Sequence, residues 1–359
     1  MVNRFLDCGV HESGCARVRC PECAREYLVA FSCQSRTFCP SCAAKRSAIF
    51  GAFLSEEVLA EVGHWMMTFT VPKMLRPYFL HHRELLGKLS RAAWETVSEL
   101  MAEAVGEEGF RTGMVVAVHS AGDFLGWHPH AHAVVPRGGW LACGEWVAVP
   151  YLDALAAERL FRHKVLSFLK REGLISEERI ELLLSWRHSG FSVDMSVTVE
   201  PEDEQAVERV ARYILRPPLS LERLTWNGRE VRYQGKNGAR QERFDPLDFV
   251  ARLLMHAPEP RLHTARYYGA YSSVARARAE GLGSGAEGAG REASSAERRR
   301  LRRSWARMLA RIYEIDPLLC ECGAEMKVIA FITDHRVIRK ILGHVRRCET
   351  PQERGPPAD

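Results

Sequence analysis

The clearest pattern in the chain is an alternation of apolar and polar residues between positions 191 and 200. Apolar side chains at every second position place one face of a strand in a core and the other in water. Further β-type segments occur at 66–71, 114–118 and 130–135, and the turn-forming Ala121-Gly122-Asp123 separates the last two. The pattern predicts a half-covered antiparallel sheet.

Helical patterns flank these strands. An amphipathic stretch covers about 85–105, and a second helix follows Pro201, begins with acidic residues, passes through Tyr213 and stops before Pro217. A glycine- and serine-rich stretch then precedes a basic helix at about 296–313. The chain therefore divides into a cysteine-rich module, a sheet-containing domain, a flexible linker, a basic helical C-terminal region and a disordered tail, expected at 1–50, 60–275, 276–296, 297–345 and 346–359.

Composition narrows the class of protein. The 359 residues are 46% hydrophobic and 26% charged, which is typical of folded globular chains, and the net charge is +5. Arginines concentrate at 298–303, so the interpretation is open between a polyanionic partner and a solvated helix face. No segment is long and apolar enough for a membrane helix and no secretory signal is evident, so we expect a cytoplasmic protein without membrane contact.

Cysteines are concentrated near the N-terminus, where seven of the eleven fall within the first 42 residues. In a reducing compartment this clustering favours metal ligation over disulfides. Cys20-x-x-Cys23 and Cys39-x-x-Cys42 have the spacing of a four-thiolate zinc site, which leaves no open coordination position and is therefore structural. The sequence predicts one structural Zn²⁺ bound by these four residues.

Other cysteines lie outside that predicted tetrahedron. Cys8, Cys15 and Cys33 are explained either by a second ion or by burial, and burial is favoured, with Cys33 as the best alternative ligand. The C-terminal Cys320-Glu321-Cys322 is one residue shorter than a C-x-x-C knuckle and has no second pair nearby in the sequence. We predict no metal there.

Three histidines alternate in His128-Pro129-His130-Ala131-His132. In a strand their imidazoles project from one face about 7 Å apart, a spacing that lets neighbours share an ion. Imidazole ligands without thiolates leave positions open for a phosphate oxygen, so such a metal is catalytic. The alternative is a set of hydrogen-bonded histidines without metal. No His-Glu-x-x-His motif supports a metalloprotease.

These motifs together resemble those of a known family, the HUH-class rolling-circle tyrosine transposases of the insertion-sequence group with an N-terminal cysteine-rich zinc-binding domain. The resemblance covers most of the chain. It rests on Phe31-Ser32-Cys33, Phe38-Cys39-Pro40-Ser41-Cys42, His128-Pro129-His130-Ala131-His132, Ala211-Arg212-Tyr213, Arg216-Pro217-Pro218 and Arg266-Tyr267-Tyr268-Gly269.

The resemblance implies a fold and a reaction. The fold is α+β, with a zinc-ribbon-like module ahead of a central antiparallel sheet that carries the histidines under packed helices. His130 and His132 would bind a catalytic Mg²⁺ or Mn²⁺, and Tyr213 would attack single-stranded DNA at element ends and targets, leaving a 5′-phosphotyrosine and a free 3′-OH. His128 is preferred as the third ligand, while His119, a carboxylate or an amide remain open.

Neighbouring residues on the tyrosine helix refine this expectation. Arg209 and Arg216 lie four positions before and three after Tyr213, on neighbouring positions of one helix face where they could hold the phosphate. Relatives with two tyrosines carry the earlier one at the position of Arg209, so this chain resembles a single-tyrosine member. Without the family resemblance, Tyr213 as an ordinary amphipathic-helix residue would be the favoured interpretation.

Two other functions stay open. One is a catalytically inactive or truncated zinc-dependent DNA-binding protein derived from a transposase, since many relatives have a helical leader where this chain starts seven residues before Cys8. The other is a metal-dependent hydrolase that forms no covalent intermediate. The pattern indicates no particular oligomeric state.

Overall fold

A computed structural model describes residues 2–35, 38–259, 262–279 and 320–345. In chain order its helices are α1 Val2–Leu6, α2 Pro40–Phe53, α3 Arg76–His81, α4 Leu85–Val105, α5 Ala154–Arg171, α6 Glu177–Ser185, α7 Glu204–Ile214, α8 Pro246–Met255, α9 Ser273–Ala279 and α10 His335–Val345. Its strands are β1 Cys15–Arg19, β2 Glu26–Ala30, β3 His64–Thr70, β4 Gly113–Ala121, β5 Trp127–Pro136, β6 Gly138–Trp140, β7 Trp146–Ala148, β8 Ser192–Val199, β9 Leu224–Trp226, β10 Val231–Gln234, β11 Gln241–Phe244, β12 Ala265–Gly269 and β13 Lys327–Ile332.

The chain forms two compact units. The first comprises Met1–Ile49 with Glu287–Asp359, and the second is Phe50–Ala286. The C-terminal region, which the sequence analysis separates from the cysteine-rich module, thus belongs to the same unit as that module. Its described part contains strand β13 followed by helix α10, and residues 276–279 of the predicted linker belong to helix α9. The remainder of the linker, the basic helix at 296–313 and the tail at 346–359 lie outside the described residues.

A three-stranded antiparallel sheet in the order β13-β1-β2 organises the first unit. β1 and β2 form a hairpin in which Cys15 pairs with Ala30 and Arg19 pairs with Glu26. β13 adds to the other edge of β1, where Arg19 pairs with Lys327. A small core beneath the hairpin turn combines residues from both ends of the chain, namely Val18, Cys20, Cys320 and Met326.

The second unit is built on a five-stranded antiparallel sheet in the order β12-β4-β5-β3-β8. Apolar side chains on one face pack against α4 and α5, and the rings of Phe69 on β3 and Phe161 on α5 lie 5.1 Å apart. Both rings are fully buried, which contributes about 1.5–3 kcal/mol each to stability. The main core of this unit therefore lies between the sheet and these two helices.

The opposite face of the sheet is covered partly by α7. Ile214 packs on Ala117 and Val134 of the two central strands, and Ala211 belongs to a neighbouring cluster with Val115. The polar positions of β4 and β5 open on this same face. The predicted α+β fold, with a central antiparallel sheet bearing the histidines, is confirmed.

None of the helices in the described ranges has the length and apolar character needed to span a bilayer.

A buried histidine in the second unit makes stability depend on pH. The His64 ring lies 2.7 Å from the Tyr271 hydroxyl, and burial lowers its pKa from 6.5 to about 4. Because the folded pKa is depressed, its contribution is complete above pH 6.5 and is lost as the pH falls toward 4. We expect the unfolding free energy of wild type to fall by about 3 kcal/mol more than that of His64→Gln over this interval. Urea titrations of both proteins measure the difference, and equal pH slopes would contradict it.

Candidate active site and metal centres

Three imidazoles meet on the helix α7 face of the sheet. His130 and His132 project from β5, and His119 on β4 is the register partner of His130. The ring of His119 lies 5.5 Å from that of His130 and 4.7 Å from that of His132, while the His130 and His132 rings are 4.8 Å apart. One nitrogen from each ring lies within 4.8 Å of the other two, so the three residues could hold one metal ion.

The other nitrogen of each ring has a hydrogen-bond partner. His130 donates from Nδ1 to the His128 carbonyl at 2.7 Å, and His119 donates from Nε2 to the Ile214 carbonyl at 2.8 Å. The Nδ1 of His132 lies 3.0 Å from the Thr68 hydroxyl. These partners orient the rings and leave Nε2 of His130 and His132 and Nδ1 of His119 for a metal, an arrangement typical of metal-binding histidines.

Burial keeps these imidazoles neutral. It is the main cause that lowers the pKa of His130 to about 3, of His132 to about 2 and of His119 below its usual value, and neighbouring positive charge lowers all three further. A neutral imidazole has the lone pair that a metal requires. The three residues are therefore in the ligating form at neutral pH.

His128, the preferred third ligand from the sequence, lies beside this cluster and is not part of it. The regular pairing of β4 with β5 is interrupted next to His128. His119 pairs with His130, but the next pair is Ala121 with Trp127, so the register shifts between them. The two residues between these pairs on β5 are His128 and Pro129. The third imidazole therefore comes from the adjacent strand as His119, which the sequence analysis left open as a lesser alternative.

Tyr213 lies in the last turn of α7, next to the histidines. Its ring centroid is 5.0 Å from that of His132, edge to face, and the Arg216 guanidinium carbon lies 5.7 Å from the tyrosine ring centroid. Gly51 lets α7 approach α2, because a Cβ at that position would lie 2.5 Å from Cγ of Arg212. The phenol and the imidazole cluster thus occupy one site.

The two predicted arginines differ in their surroundings. Arg216 is exposed, and its charge acts on His119 and on Lys236. Arg209 is also exposed and forms an ion pair at 3.7 Å with Asp203, the N-cap residue of α7. Arg216 is the one that lies over the tyrosine ring.

Lys236, which follows strand β10, was not predicted from the sequence as a residue of this site. Its positive charge lowers the pKa values of the three clustered histidines and of the neighbouring His128. The pKa of Lys236 is itself lowered, first by burial and then by the charge of Arg216. Its position depends on the small sheet β11-β10-β9, and no motif around it indicates proximity to the histidines.

The cysteines form two groups in place of the single predicted tetrahedron. One group is Cys8, Cys33, Cys39 and Cys42, and the other is Cys20, Cys23, Cys320 and Cys322. The predicted ligand set of Cys20, Cys23, Cys39 and Cys42 is thereby divided between them. Cys8 and Cys33, for which the sequence favoured burial, complete the first group, whereas Cys15 is buried outside both.

The β1–β2 hairpin explains this division. Cys20 and Cys23 lie in its turn, whereas Cys33 follows its open end, where the Cys33 amide donates to Sγ of Cys8 at 3.3 Å. Five paired residues at about 3.4 Å each separate the two ends of the hairpin by roughly 15 Å, far more than the width of one zinc site. Two knuckles on opposite ends of a hairpin cannot share an ion.

The first cysteine group has the dimensions of a zinc tetrahedron. Sγ of Cys8 lies 3.7 Å from that of Cys39 and 3.6 Å from that of Cys42, and Sγ of Cys33 lies 3.6 Å from that of Cys42. Zinc–sulfur bonds of about 2.3 Å give tetrahedral sulfur–sulfur edges of about 3.8 Å. Four such thiolates fill the coordination sphere, so this centre is structural.

Thr68 offers a test of the histidine centre. Thr68→Val removes the hydroxyl next to His132 Nδ1, and we expect it to weaken Mn²⁺ binding by about 10–100-fold. Thr70→Val, two residues along the same strand, removes a hydroxyl that bonds Ser192 and serves as the matched control. Calorimetric titration with Mn²⁺, an ion that thiolates bind poorly, measures the affinity. Equal affinities in the two variants would contradict a role for Thr68 in orienting the ligand.

Comparisons with known proteins agree with these features. Residues 1–71 match the family described as "Transposase zinc-binding domain", and residues 113–278 match the family described as "Putative transposase". The first segment contains the Cys8 to Cys42 cysteines, and the second contains the three clustered histidines and Tyr213.

Two relatives carry names of the same kind. The transposase for insertion sequence element IS801 from Pseudomonas savastanoi pv. phaseolicola is 25% identical over 294 residues, which cover 75% of this chain and 68% of the relative. The "Putative transposase y4qJ" of Sinorhizobium fredii is 27% identical over 274 residues, 70% of this chain and 68% of the relative. This chain therefore has a transposase zinc-binding domain ahead of a transposase domain.

Proposed function

We propose that this transposase nicks and rejoins single-stranded DNA through a 5′-phosphotyrosine on Tyr213, at a divalent metal held by His119, His130 and His132. The observation that carries the proposal is the edge-to-face contact of the Tyr213 and His132 rings, whose centroids lie 5.0 Å apart. A nucleophile this close to a metal ligand can reach a phosphate bound at the metal.

The reaction exchanges one phosphodiester for another. The Tyr213 oxygen loses its proton to solvent and attacks phosphorus, the bond from phosphorus to the 3′ oxygen breaks, and that oxygen takes up one proton from solvent to leave as a 3′-OH. A 3′-OH attacking the phosphotyrosine reverses the exchange, so rejoining needs no other energy source. Mg²⁺ or Mn²⁺ bound by the imidazoles would polarise the scissile phosphate and offset charge on the leaving oxygen.

Cationic side chains surround the place where this phosphate would lie. Arg216 lies over the Tyr213 ring, and the charge of Lys236 reaches Arg216 and the histidine cluster. Two cations this close in a partly buried site repel each other, and an anion between them relieves that repulsion. Arg216 and Lys236 therefore bind and orient the phosphate, and exposed Arg209 contacts the strand farther from the metal.

His128 fits a related role. Its Nε2 is buried and makes no hydrogen bond within the described part of the chain, while its ring lies 5.1 Å from that of His130. A buried ring nitrogen beside a metal site is available to a DNA oxygen. We place His128 at the entrance of the strand to the metal.

Covalent capture tests the proposal. Zinc-loaded protein is incubated with Mg²⁺ or Mn²⁺ and end-labelled single-stranded oligonucleotides drawn from the ends of its own element. We expect a denaturation-resistant protein–DNA adduct that carries the DNA fragment downstream of the break, joined through its 5′ phosphate, and peptide mass spectrometry is expected to locate the nucleotide on Tyr213. Metal omission is expected to prevent the adduct.

The same experiment separates the competing functions. Metal-dependent cleavage without an adduct would show hydrolysis by water and overturn the phosphotyrosine route. Binding of the oligonucleotides without cleavage under either metal would show a DNA-binding protein that has lost the reaction. An adduct on another residue would overturn the choice of nucleophile.

A further inference from the structure

The second cysteine group joins residues that lie some 300 positions apart in the sequence. Sγ of Cys20 lies 3.6 Å from that of Cys322, and Sγ of Cys23 lies 3.4 Å from that of Cys320. We propose that these four thiolates bind a second structural zinc ion, which fastens residues 320–345 to the N-terminal module. Cys320 and Cys322 lie outside both segments that match the transposase families.

The sulfur positions fit a metal and not disulfides. Separations of 3.4–3.6 Å are far longer than a disulfide bond of about 2.05 Å and close to the edge of about 3.8 Å of a zinc–thiolate tetrahedron. All four sulfurs lie within 4.8 Å of one another. The Cys23 amide also points to Sγ of Cys20 at 3.5 Å, as backbone donors do around metal-bound thiolates.

The backbone holds both pairs in similar turns. The Cys20 amide donates to the Arg25 carbonyl at 2.8 Å, and the Cys320 amide donates to the Ala324 carbonyl at 2.9 Å. Each turn contains a residue with positive φ, Ala24 in the first and Gly323 in the second. The C-x-C spacing of the second pair therefore still forms a knuckle, which is why its missing residue does not exclude metal binding.

Contacts independent of the cysteines bring the two turns together. β13 pairs with β1, so Lys327 lies opposite Arg19 just before the first knuckle. Arg25 forms an ion pair with Glu321 across the knuckles, and Met326 packs in the small core below them. The site is thus assembled by strand pairing, charge and apolar packing as well as by its ligands.

The second centre is more accessible than the first. Cys23 and Cys322 are exposed, whereas no cysteine of the Cys8 group is exposed. An exposed thiolate can be reached by a chelator or an oxidant without prior unfolding. Chelation is therefore expected to remove the second zinc ahead of the first and to loosen the C-terminal residues while the Cys8 group keeps its ion.

Metal counting tests the second site. The full chain is loaded with Co²⁺ in place of Zn²⁺, and the thiolate-to-cobalt charge-transfer absorption is read together with total bound metal. Only sulfur ligands produce that band, so an ion at the histidines does not contribute to it. Wild type and Cys143→Ser, which changes an exposed cysteine outside both groups, are expected to bind two sulfur-ligated ions per chain.

Variants assign each ion. Cys320→Ser with Cys322→Ser, and separately Cys39→Ser with Cys42→Ser, are each expected to retain one sulfur-ligated ion. A single ion in wild type would overturn the proposal without recourse to a variant, and so would two ions in the chain lacking Cys320 and Cys322. Iron in place of zinc in freshly purified wild type would overturn the choice of metal.

A cleavage experiment tests the fastening. A protease recognition sequence is introduced at 281–290 of the full chain, and the cut protein is separated by size-exclusion chromatography. The C-terminal fragment is expected to elute with the N-terminal part while zinc is bound and to separate after chelation. It is expected to separate without chelation when Cys320 and Cys322 are both serine. A fragment that stays attached after complete zinc removal would show that strand pairing alone holds it.

Discussion

Tyr213→Phe is expected to abolish the covalent protein–DNA adduct. The substitution removes the oxygen proposed to attack the phosphate and keeps the ring against His132, so metal binding and folding should not change. Adduct formation should fall by roughly three orders of magnitude or more, because loss of a nucleophile removes the covalent route itself. Quantitative denaturing gels with labelled oligonucleotide measure the fall, and Mn²⁺ titration verifies that the metal site is intact.

Tyr151→Phe is the matched control. Tyr151 is 74% exposed, so loss of its hydroxyl should leave both the adduct and the stability unchanged. If Tyr213→Phe still forms the adduct at the wild-type rate, Tyr213 is not the nucleophile. If it also loses Mn²⁺ affinity, the substitution has disturbed the metal site and the fall in adduct no longer isolates the attacking group.

Replacing His119, His130 and His128 one at a time should distinguish metal ligands from a neighbouring histidine. His119→Ala is expected to weaken Mn²⁺ binding by more than about 100-fold, as His130→Ala should, because loss of a ligand exceeds the 10–100-fold effect of losing its supporting partner. His128→Ala should change the affinity by less than about 10-fold, since its ring lies outside the cluster. Mn²⁺ titration followed by electron paramagnetic resonance gives all three affinities.

The opposite order of Mn²⁺ affinities would support the prediction from the sequence, in which His128 is the third ligand. If His128→Ala lost Mn²⁺ and His119→Ala kept it, the third ligand would lie along β5 and the His119 ring would serve only to bond the Ile214 carbonyl. Adduct assays on the same variants add a second measurement. We expect His128→Ala to weaken DNA binding while it preserves the metal.

The sequence predicted what depends on local periodicity. Alternation over 191–200 corresponds to β8, and the spacing of His130 and His132 correctly placed two imidazoles on one face of β5. The alternation predicts burial less well in β8, which is an edge strand of the sheet. Val197 occupies an apolar position of the alternation and is nevertheless 45% exposed. Period-2 patterns report the strand itself and not what covers it.

Local periodicity could not predict which residues the pairing of strands brings together. His119 joins His130 because β4 pairs with β5 in one particular register, and His128 is displaced by a shift in the same ladder. Cys320 reaches Cys23 because β13 pairs with β1. Spacing along the chain carries no information on such pairings, so the C-x-x-C motifs suggested one nearby site where the fold forms two separate ones.

The long separation between the two halves of the Cys20 group has a consequence during synthesis. Cys20 emerges from the ribosome 302 residues before Cys322, and at about 5–20 residues per second the interval is roughly 15–60 s. Throughout that time β1 has β2 on one edge and an unpaired edge on the other, with two thiolates still awaiting their partners. The ribosome therefore synthesises all of the second unit, Phe50–Ala286, before β1 can pair with β13.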